Sequence, residues 1–308
     1  MLKRVIFALN KTEATDNSTI DEFQRTADYI MECGYESMIF DISSDFFIKA
    51  GDEDKKTSLI LTDKSEIAQR LTEAGFFVVG ITHDKNQGEN YSGLKYVFSE
   101  IEEVDIDSFV KAYQRYAKEP WEVIRTDRLL IRETTLEDVD VFYQIYADPE
   151  ITEYMEGLFE DPEDEKRYQK DYIEKVYALM GFGLWTLVRA SDNTVIGRAG
   201  YSVRNGFDDI ELGFLIGKDY QKMGYAFEAC SAILDYGRDV LLFDGVQTLV
   251  KKENAVSIHL CEKLGFTRMD EVVVEENIYG GDYGEVPKVK LNPANYGKYI
   301  RLVKRLNL

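Results

Sequence analysis

Histidine and cysteine are scarce in this chain of 308 residues. It has two histidines, His83 and His259, and three cysteines, Cys33, Cys230 and Cys261. Because the number of cysteines is odd and none are spaced as C-x-x-C, the sequence predicts neither a disulfide framework nor a cysteine-based zinc site. Two histidines are also too few for a histidine-rich metal site, so we expect no bound metal.

The chain also lacks long apolar runs and an excess of positive charge. No stretch reaches the roughly 18 apolar residues that a membrane span needs, and the apolar run after Met1 is too short for a signal peptide. Thirty-seven Lys and Arg stand against 57 Asp and Glu, which leaves a net charge of −20. This balance argues against nucleic-acid and anionic-membrane partners and permits a cationic substrate. We therefore expect a reduced, cytoplasmic protein.

What is present is typical of a folded protein with two domains. Hydrophobic residues make up 44% of the chain and charged residues 31%, and the length exceeds that of most single domains. Residues 1–118 alternate between apolar strands and helices, which predicts an α/β domain with a parallel sheet covered on both faces. The run Glu119-Pro120-Trp121 ends the pattern, so we place the domains at 1–120 and 121–308. Strands are expected over Arg4–Leu9, Ser37–Ile42, Ser58–Thr62 and Phe76–Thr82, and helices over Thr19–Cys33, Glu66–Ala74 and Asp107–Lys118.

The second domain has the pattern of an α+β fold with a mixed, mainly antiparallel sheet. Asp161-Pro162 is a strong helix start, with an N-cap residue before a proline at the first helical position. Turns at 191–194 and 205–208 join strands into hairpins. We expect strands over Glu122–Arg132, Leu184–Arg189, Val195–Val203, Ile210–Ile216 and Gly245–Lys251, and helices over Leu136–Ala147, Asp161–Met180 and the segment that ends near Gly237.

One short motif carries the chemistry of a phosphate site. Gln221, Gly224 and Ala226 have the spacing Q-x-x-G-x-A between the strand Ile210–Ile216 and a long helix. A glycine and a small residue at a helix N-terminus let backbone N–H groups approach a ligand, and the unpaired N–H groups with the helix dipole favour a pyrophosphate. Alone, the same pattern also fits an ordinary turn followed by a helix.

Several motifs together make residues 122–275 resemble the GNAT acetyltransferase superfamily, and its ribosomal-protein N-terminal acetyltransferase branch most closely. They are "RLLIRE", "GRAG", "ELGFLIG", "YQKMGYAFEA" and "NAVSIHLCEKLGF", in this order. The resemblance implies that acetyl-coenzyme A donates an acetyl group to an amine by direct attack in a ternary complex. The acceptor is a protein N-terminus or a small cationic amine, and the sequence leaves its identity and the oligomeric state open.

The resemblance also implies which residues bind the donor. The backbone of three strand residues would pair with the pantetheine arm, the loop would hold the pyrophosphate, and the start of the last helix would contact the pantetheine. Capping of that helix is an equally good explanation for its first residues. The donor-binding residues are expected to be Phe214, Leu215, Ile216, Gln221, Lys222, Met223, Gly224, Tyr225, Ala226, Asn254 and Ser257.

Three residues are candidates for proton handling. Glu211 is out of phase with the apolar residues of its strand, so it either faces solvent or projects into the acceptor cleft as the base. Ser257 or Cys261 would donate to the departing thiolate. Many relatives have a tyrosine where this chain has Cys261, and the alternative for this cysteine is a small buried helix residue. His259 is expected to be structural.

The acceptor side is predicted from the loop at 150–162 and from a glycine-rich segment at 279–289. Glu153, Tyr154 and Glu156 would receive a cationic amine, and Tyr283 would cover the cleft. The acids at 160–165 are expected to form a solvated surface that stabilises the dipole of the following helix, whereas Glu153 and Glu156 stay open between the two interpretations.

The opening strand at 5–12 and the segments at 58–86 and 94–105, which look like later strands of the same fold, make residues 3–110 resemble a degenerate haloacid dehalogenase-like (HAD-like) phosphohydrolase. Ala8 stands where the nucleophilic aspartate of that family would be, and Asn10 stands where its acid would be. Phosphoryl transfer through a covalent intermediate needs a carboxylate nucleophile, so the domain is expected to be non-catalytic. Two alternatives to acetyl transfer follow: a non-catalytic sensor that binds acyl-coenzyme A, and, less strongly indicated, a phosphohydrolase.

Overall fold

The computed structural model divides the chain into two compact units, Met1–Trp121 and Glu122–Leu308. Each unit has its own hydrophobic core. The structure describes residues 1–9, 17–42, 44–276, 283 and 295–307.

The first unit is built on a five-stranded parallel sheet. Its strands run over Arg4–Leu9 (β1), Glu36–Asp41 (β2), Ser58–Thr62 (β3), Phe77–Thr82 (β4) and Val97–Ser99 (β5). They stand in the order β2-β1-β3-β4-β5, and all neighbouring pairs are parallel. Its helices are Asn17–Glu32 (α1), Asp45–Lys49 (α2), Asp52–Thr57 (α3), Ser65–Glu73 (α4) and Ile106–Ala117 (α5).

Both faces of this sheet are covered. Alternate residues of β1 point to opposite faces, so Val5 and Phe7 join the core under α1 and α5, whereas Ile6 and Ala8 join the core under α4. The predicted parallel sheet with helices on both faces is therefore confirmed. The short helices α2 and α3 were not predicted, strand β5 lies inside the segment 94–105 where a strand was expected, and Asn10 lies outside the described residues.

The second unit contains a mixed eight-stranded sheet in its described part. The strands are Glu122–Arg125 (β6), Leu129–Arg132 (β7), Leu184–Arg189 (β8), Thr194–Ser202 (β9), Ile210–Ile216 (β10), Gly245–Lys251 (β11), Thr267–Glu276 (β12) and Asn295–Arg305 (β13). They stand in the order β12-β13-β11-β10-β9-β8-β7-β6. Among the described strands of this unit, β10 and β11 pair in parallel and all other neighbouring pairs are antiparallel. The predicted mixed, mainly antiparallel sheet is confirmed.

The structure corrects several of the elements predicted for this unit, whose helices pack on the sheet. The strand predicted over Glu122–Arg132 is wrong, because the chain reverses between β6 and β7, and strands β12 and β13 were not predicted. The long helix after Asp161 is α8 and α9, joined by a π-helical turn over Tyr172–Val176. The helices are Asp138–Tyr146 (α6), Pro149–Thr152 (α7), Pro162–Asp171 (α8), Tyr177–Met180 (α9), Tyr225–Asp239 (α10) and Ala255–Lys263 (α11).

Candidate active site

A slot opens where strands β10 and β11 separate. They pair at two positions only, Ile210 with Val246 and Glu211 with Gln247. On its other side, β10 stays paired with β9 as far as Ile216. The segment from Phe214 to Ile216 thus has strand pairing with β9 but not with β11. An extended chain inserted there can form a main-chain ladder with β10, as an added strand does.

The loop after β10 leads into the N-terminus of α10. Gln221 Nε2 donates to the Ile216 carbonyl at 3.0 Å, which ties the loop to the end of the strand. Lys222 and Gly224 have positive φ of 62° and 85°. Gly224 is the N-cap residue and provides no side-chain hydrogen bond to the helix. The first-turn N–H groups of a helix have no intrahelical acceptor, so this end can receive an anion.

Three further residues lie at this helix end: Met223 in the loop, and Tyr225 and Ala226 in the first turn of α10. Met223 is largely exposed, Tyr225 is buried, and Ala226 packs against the core. A groove of about 570 Å³ runs beside them, lined in part by Gly224 and Lys263. The loop is therefore open to solvent on one side and supported by the core on the other.

The start of α11 holds the second group of predicted donor-binding residues. Asn254 Oδ1 accepts a hydrogen bond from the Ser257 N–H at 3.0 Å, so Asn254 caps this helix. Ser257 is half-buried and His259 is exposed. Cys261 is fully buried in the hydrophobic core, where it is hydrogen-bonded to Thr248 and where burial raises the pKa of its thiol to about 12. Its side chain thus has the packing role that the sequence left open.

Glu211 lies at the point where the slot begins. This residue is 7% exposed, so the solvent-facing alternative is wrong. Arg204 Nε donates to Glu211 Oε2 at 2.5 Å. Burial raises the pKa of the Glu211 carboxyl above its ordinary value, and the Arg204 guanidinium opposes that rise. A buried carboxyl with a raised pKa suits a base that works near neutral pH.

The loop before α8 reaches the same corner of the sheet. Lys251 Nζ on β11 donates to the Glu153 carbonyl at 3.4 Å. Glu156 raises the pKa of the Arg204 guanidinium, which places its charge in the surroundings of the Arg204–Glu211 pair. The Tyr154 hydroxyl is hydrogen-bonded to the Glu153 carboxylate, and this bond raises its pKa. The structure therefore brings this loop and Glu211 together.

Tyr283 lies against α8. Its hydroxyl donates to Asp171 Oδ2 at 2.8 Å, and its ring centroid is 5.6 Å from those of Phe159 and Tyr168. Burial, followed by Asp171, raises the pKa of Tyr283 to about 12. The rest of the predicted cover at 279–289 lies outside the described residues.

Comparison with known proteins agrees with this geometry. The family profile of the acetyltransferase (GNAT) domain matches residues 128–267. An uncharacterized N-acetyltransferase of Bacillus licheniformis, p20, is 31% identical over 153 residues, which are 48% of this chain and 83% of that protein. The chain belongs to the GNAT acetyltransferase family.

Two other similarities are more limited. The spermidine N(1)-acetyltransferase of Escherichia coli (strain K12) is 37% identical over 70 residues, which are 23% of this chain and 38% of that enzyme. A solved structure of a GNAT-family acetyltransferase from Bacillus anthracis is 22% identical, with a TM-score of 0.46, and covers 60% of this chain and 99% of its own. The family profile and the N-acetyltransferase relative, not these two similarities, identify the chain as an acyltransferase enzyme with a GNAT domain in its second half.

Two arginines of this GNAT domain were missed by the sequence analysis. Arg128 Nε donates to Glu228 Oε2 at 2.6 Å and Arg128 Nη1 donates to the Met223 carbonyl at 3.0 Å, so it braces the loop against α10. It belongs to the quoted motif "RLLIRE", which was a usable signal. Arg204 had no such signal, because its contact with Glu211 depends on the hairpin that joins β9 to β10.

No group of three or more His, Cys, Asp or Glu side chains in residues 1–9, 17–42, 44–276, 283 and 295–307 is arranged to hold a metal ion. Within the same ranges, no helix has the length and apolarity to cross a membrane.

Proposed function

We propose that this enzyme transfers the acetyl group of acetyl-coenzyme A to a primary amine by direct attack in a ternary complex. The observation that carries the proposal is the position of the slot. It runs from Glu211, where β10 and β11 separate, toward the N-terminus of α10 at Gly224. A donor in this slot would have its thioester near a buried carboxyl and its phosphates at the helix end.

The donor would be held mainly by backbone groups. Phe214, Leu215 and Ile216 would pair with the pantetheine arm, because β10 has strand pairing only with β9 at these positions in the described structure. The N–H groups of the loop 222–226 would bind the pyrophosphate. Gln221 would keep the loop in place through its bond to the Ile216 carbonyl. Asn254 would orient the first turn of α11 beside the pantetheine.

The chemical step would need one base and one donor. Glu211 would take a proton from the ammonium of the acceptor, directly or through water, and the free amine nitrogen would attack the thioester carbon. A carbon–nitrogen bond forms and the carbon–sulfur bond breaks, so that the sulfur leaves as a thiolate. The nitrogen then loses its second proton, which passes to the thiolate, directly or through water, to give the amide and the free thiol. Ser257 would donate a hydrogen bond to this thiolate, since it is half-buried at the start of α11, whereas Cys261 lies in the core.

A cationic acceptor is favoured by the charges around Glu211. Glu153 and Glu156 lie on the loop that reaches this corner, and Tyr154 and Tyr283 would add hydroxyl or aromatic contacts. A carboxylate-rich corner attracts ammonium groups. Similarity to a spermidine N(1)-acetyltransferase over 70 residues supports a small amine. The protein N-terminus, suggested by the resemblance to the ribosomal-protein branch, is the second candidate.

The domain at 1–120 is proposed to be a non-catalytic HAD-like domain. Ala8 is fully buried in the core between β1 and α4, at the position that the family gives to a nucleophilic aspartate. A buried methyl group cannot form a phosphoenzyme, so a phosphohydrolase activity finds no support in this residue.

Thiol release from acetyl-coenzyme A across a panel of amines tests the proposal. The panel should contain polyamines, a monoamine and a peptide with a free N-terminus. We expect at least one amine to accelerate thiol release well above the amine-free rate. If the enzyme binds coenzyme A tightly and no amine accelerates release, the protein is a sensor of acyl-coenzyme A. Metal-dependent hydrolysis of a phosphate ester that requires the first domain would instead support the phosphohydrolase.

A further inference from the structure

Arg204 reaches Glu211 across the turn that joins β9 to β10. The hairpin register pairs Glu211 with Ser202, so Arg204 lies past the end of β9 and its side chain turns back over the hairpin. The Phe207 N–H donates to the Arg204 carbonyl at 3.2 Å and closes the turn. The turn therefore places the Arg204 backbone beside the start of β10, within reach of Glu211.

The other end of the same turn is held by the neighbouring strand. Gln247, which stands opposite Glu211 on β11, is fully buried, and its Nε2 donates to the Asp209 carbonyl at 3.0 Å. The turn is thus attached to the sheet at both ends. In this arrangement Arg204 Nε lies 2.5 Å from Glu211 Oε2.

Charged and titratable groups on two other elements act on this pair. Arg204 is the charged side chain that acts on the Glu211 carboxyl. Arg204 is itself affected by Glu156 from the loop before α8 and by Tyr299 from β13: burial lowers the pKa of its guanidinium, and Glu211, Glu156 and Tyr299 raise it. Ser202 and Gln247, the strand neighbours of Glu211, carry no charge.

We propose that Arg204 is a positioning residue for the transfer reaction. Its guanidinium holds Glu211 Oε2, so that the carboxyl stays ionised and presents Oε1 to the proton of the amine. A carboxylate buried without a cation becomes neutral, because desolvation disfavours the charged form. The planar guanidinium also fixes the direction of the carboxylate, which a flexible ammonium does not. The inference rests on the proposed role of Glu211 as the base.

The main test is the pH dependence of turnover in the full-length Arg204→Gln variant. Removal of the guanidinium takes away the group that opposes the rise in the pKa of Glu211. We therefore expect the acid limb of the kcat profile to move to higher pH by about one to three units, the usual effect of one close opposite charge. Activity should recover toward the wild-type level above that limb. Carboxyl ¹³C NMR titration of Glu211, assigned with Glu211→Gln, should show the same displacement.

Two further variants separate positioning from a general loss of structure. Arg204→Lys keeps the charge, so its acid limb should stay near that of the wild type while kcat falls several-fold through loss of the planar contact. Arg125→Gln is the matched control, because Arg125 pairs with Glu122 at 2.8 Å on the exposed edge strand β6. It should change neither kcat nor the pH profile.

Specific outcomes would overturn the inference. An Arg204→Gln variant with an unmoved acid limb, or one that is slower by the same factor at every pH, would make Arg204 a structural residue. If Arg204→Gln does not fold, wild-type kcat in the Arg204→Lys variant would overturn the inference. The NMR titration does not depend on turnover, so it tests the Arg204 contact even if Glu211 fails as the base. If Glu211→Gln instead keeps wild-type turnover, Glu211 is not the base and the proposed chemical step is wrong.

Discussion

The surroundings of the Glu211 carboxyl differ from those of a surface glutamate in burial, in hydrogen bonding and in position on the sheet. Its carboxyl is buried, it accepts from Arg204, and it lies where two parallel strands separate. Burial raises the pKa of this carboxyl, which places its titration nearer to the working pH of a general base. Activity should therefore fall as the pH falls through this pKa, because the protonated carboxyl cannot accept the proton of the amine.

Glu211→Gln should lower turnover at neutral pH by about 10²-fold, within the usual range for loss of a general base. Raising the pH should recover much of the loss, because more of the amine is then unprotonated in solution. Glu271→Gln, on the exposed strand β12, is the control and should leave turnover unchanged. Steady-state rates between pH 6 and 10 provide the measurement. Near-wild-type rates in Glu211→Gln at every pH would remove it as the base, and a loss without pH recovery would make it an acceptor-binding residue.

Gly224→Glu should abolish binding of coenzyme A while the protein remains folded. The new carboxylate would lie at the helix end that receives the pyrophosphate and would repel it. The positive φ of 85° also strains a side chain, at a cost of about 1–2 kcal/mol. Gly34→Glu is the matched control, since Gly34 has a φ of 92° in open space in the first unit. Calorimetric titration with coenzyme A should show binding in the control and none in Gly224→Glu; equal affinity in both would refute the phosphate-loop assignment.

Ser257→Ala should reduce kcat more than Cys261→Ala. A hydroxyl donates a stronger hydrogen bond than a thiol, and a bond to a charged group is worth about 1.5–3 kcal/mol, so we expect a loss of roughly tenfold or more. Cys261→Ala should instead cost about 1 kcal/mol of stability, because it removes buried atoms from a packed core. Parallel measurements of kcat and of unfolding free energy distinguish the two. A larger kcat loss in Cys261→Ala would assign the donor role to the cysteine.

At the scale of helices and strands, the apolar pattern predicted most of the fold. Strands β3, β8, β10 and β11 have the predicted bounds, because their apolar runs are flanked by clear turns. The pattern failed for Glu122–Arg132, where a short reversal inside an apolar run separates β6 from β7. It also failed for β12, whose side chains are mostly exposed and therefore leave no apolar signal.

The sequence predicted those parts of the candidate site that depend on the conformation of the backbone. A glycine and a small residue at the start of α10 were visible in the sequence, since the loop needs a left-handed conformation at Gly224. The side-chain contacts were not visible, because Arg204 and Arg128 touch residues that are near only after the hairpin and α10 have formed. Buried acids were also missed: Glu165 is 1% exposed and accepts from the Phe159 N–H, although it was expected on the surface.

The attachment of α6 to the sheet should depend on pH through Asp138. This carboxyl is buried, which by itself raises its pKa, but hydrogen bonds from Arg132, Thr135 and Thr186 lower the pKa below its ordinary value. A lowered pKa contributes stability above the unfolded-state value of about 3.9, and this contribution is lost as the pH falls through the folded-state value. The native state should therefore lose stability on the acid side of pH 4.

Asp138→Asn should lower the unfolding free energy at pH 7 by about 1.5–3 kcal/mol, because it removes the charged acceptor of Arg132, which keeps only its bond to the Glu133 carbonyl among these contacts. The difference from the wild type should shrink below pH 4, where Asp138 itself becomes protonated. Asp140→Asn, on the exposed side of the same helix, should have little effect. Urea unfolding followed by Trp185 fluorescence in a Trp121→Phe background reports on this unit. A difference that is constant with pH would show that the charge of Asp138 does not contribute.

At the scale of the whole molecule, the chain is divided into two compact units. The second unit carries the slot, the helix end and the buried carboxyl, all within Glu122–Leu308. In the first unit, Ala8 is fully buried in the core. A net charge of −20 favours the approach of cationic acceptors to the molecule as a whole. Acetyl transfer should thus depend on residues of the second unit.

The most direct measurement follows the acetyl group itself. The full-length protein is incubated with acetyl-coenzyme A that carries a trideuterated acetyl group and with the best amine of the panel, and products are weighed by mass spectrometry. We expect one labelled acetyl group on the amine for each thiol released, and loss of both in Gly224→Glu and Glu211→Gln. Tight binding of coenzyme A with no label on any amine would contradict the assignment of this chain as an amine acetyltransferase.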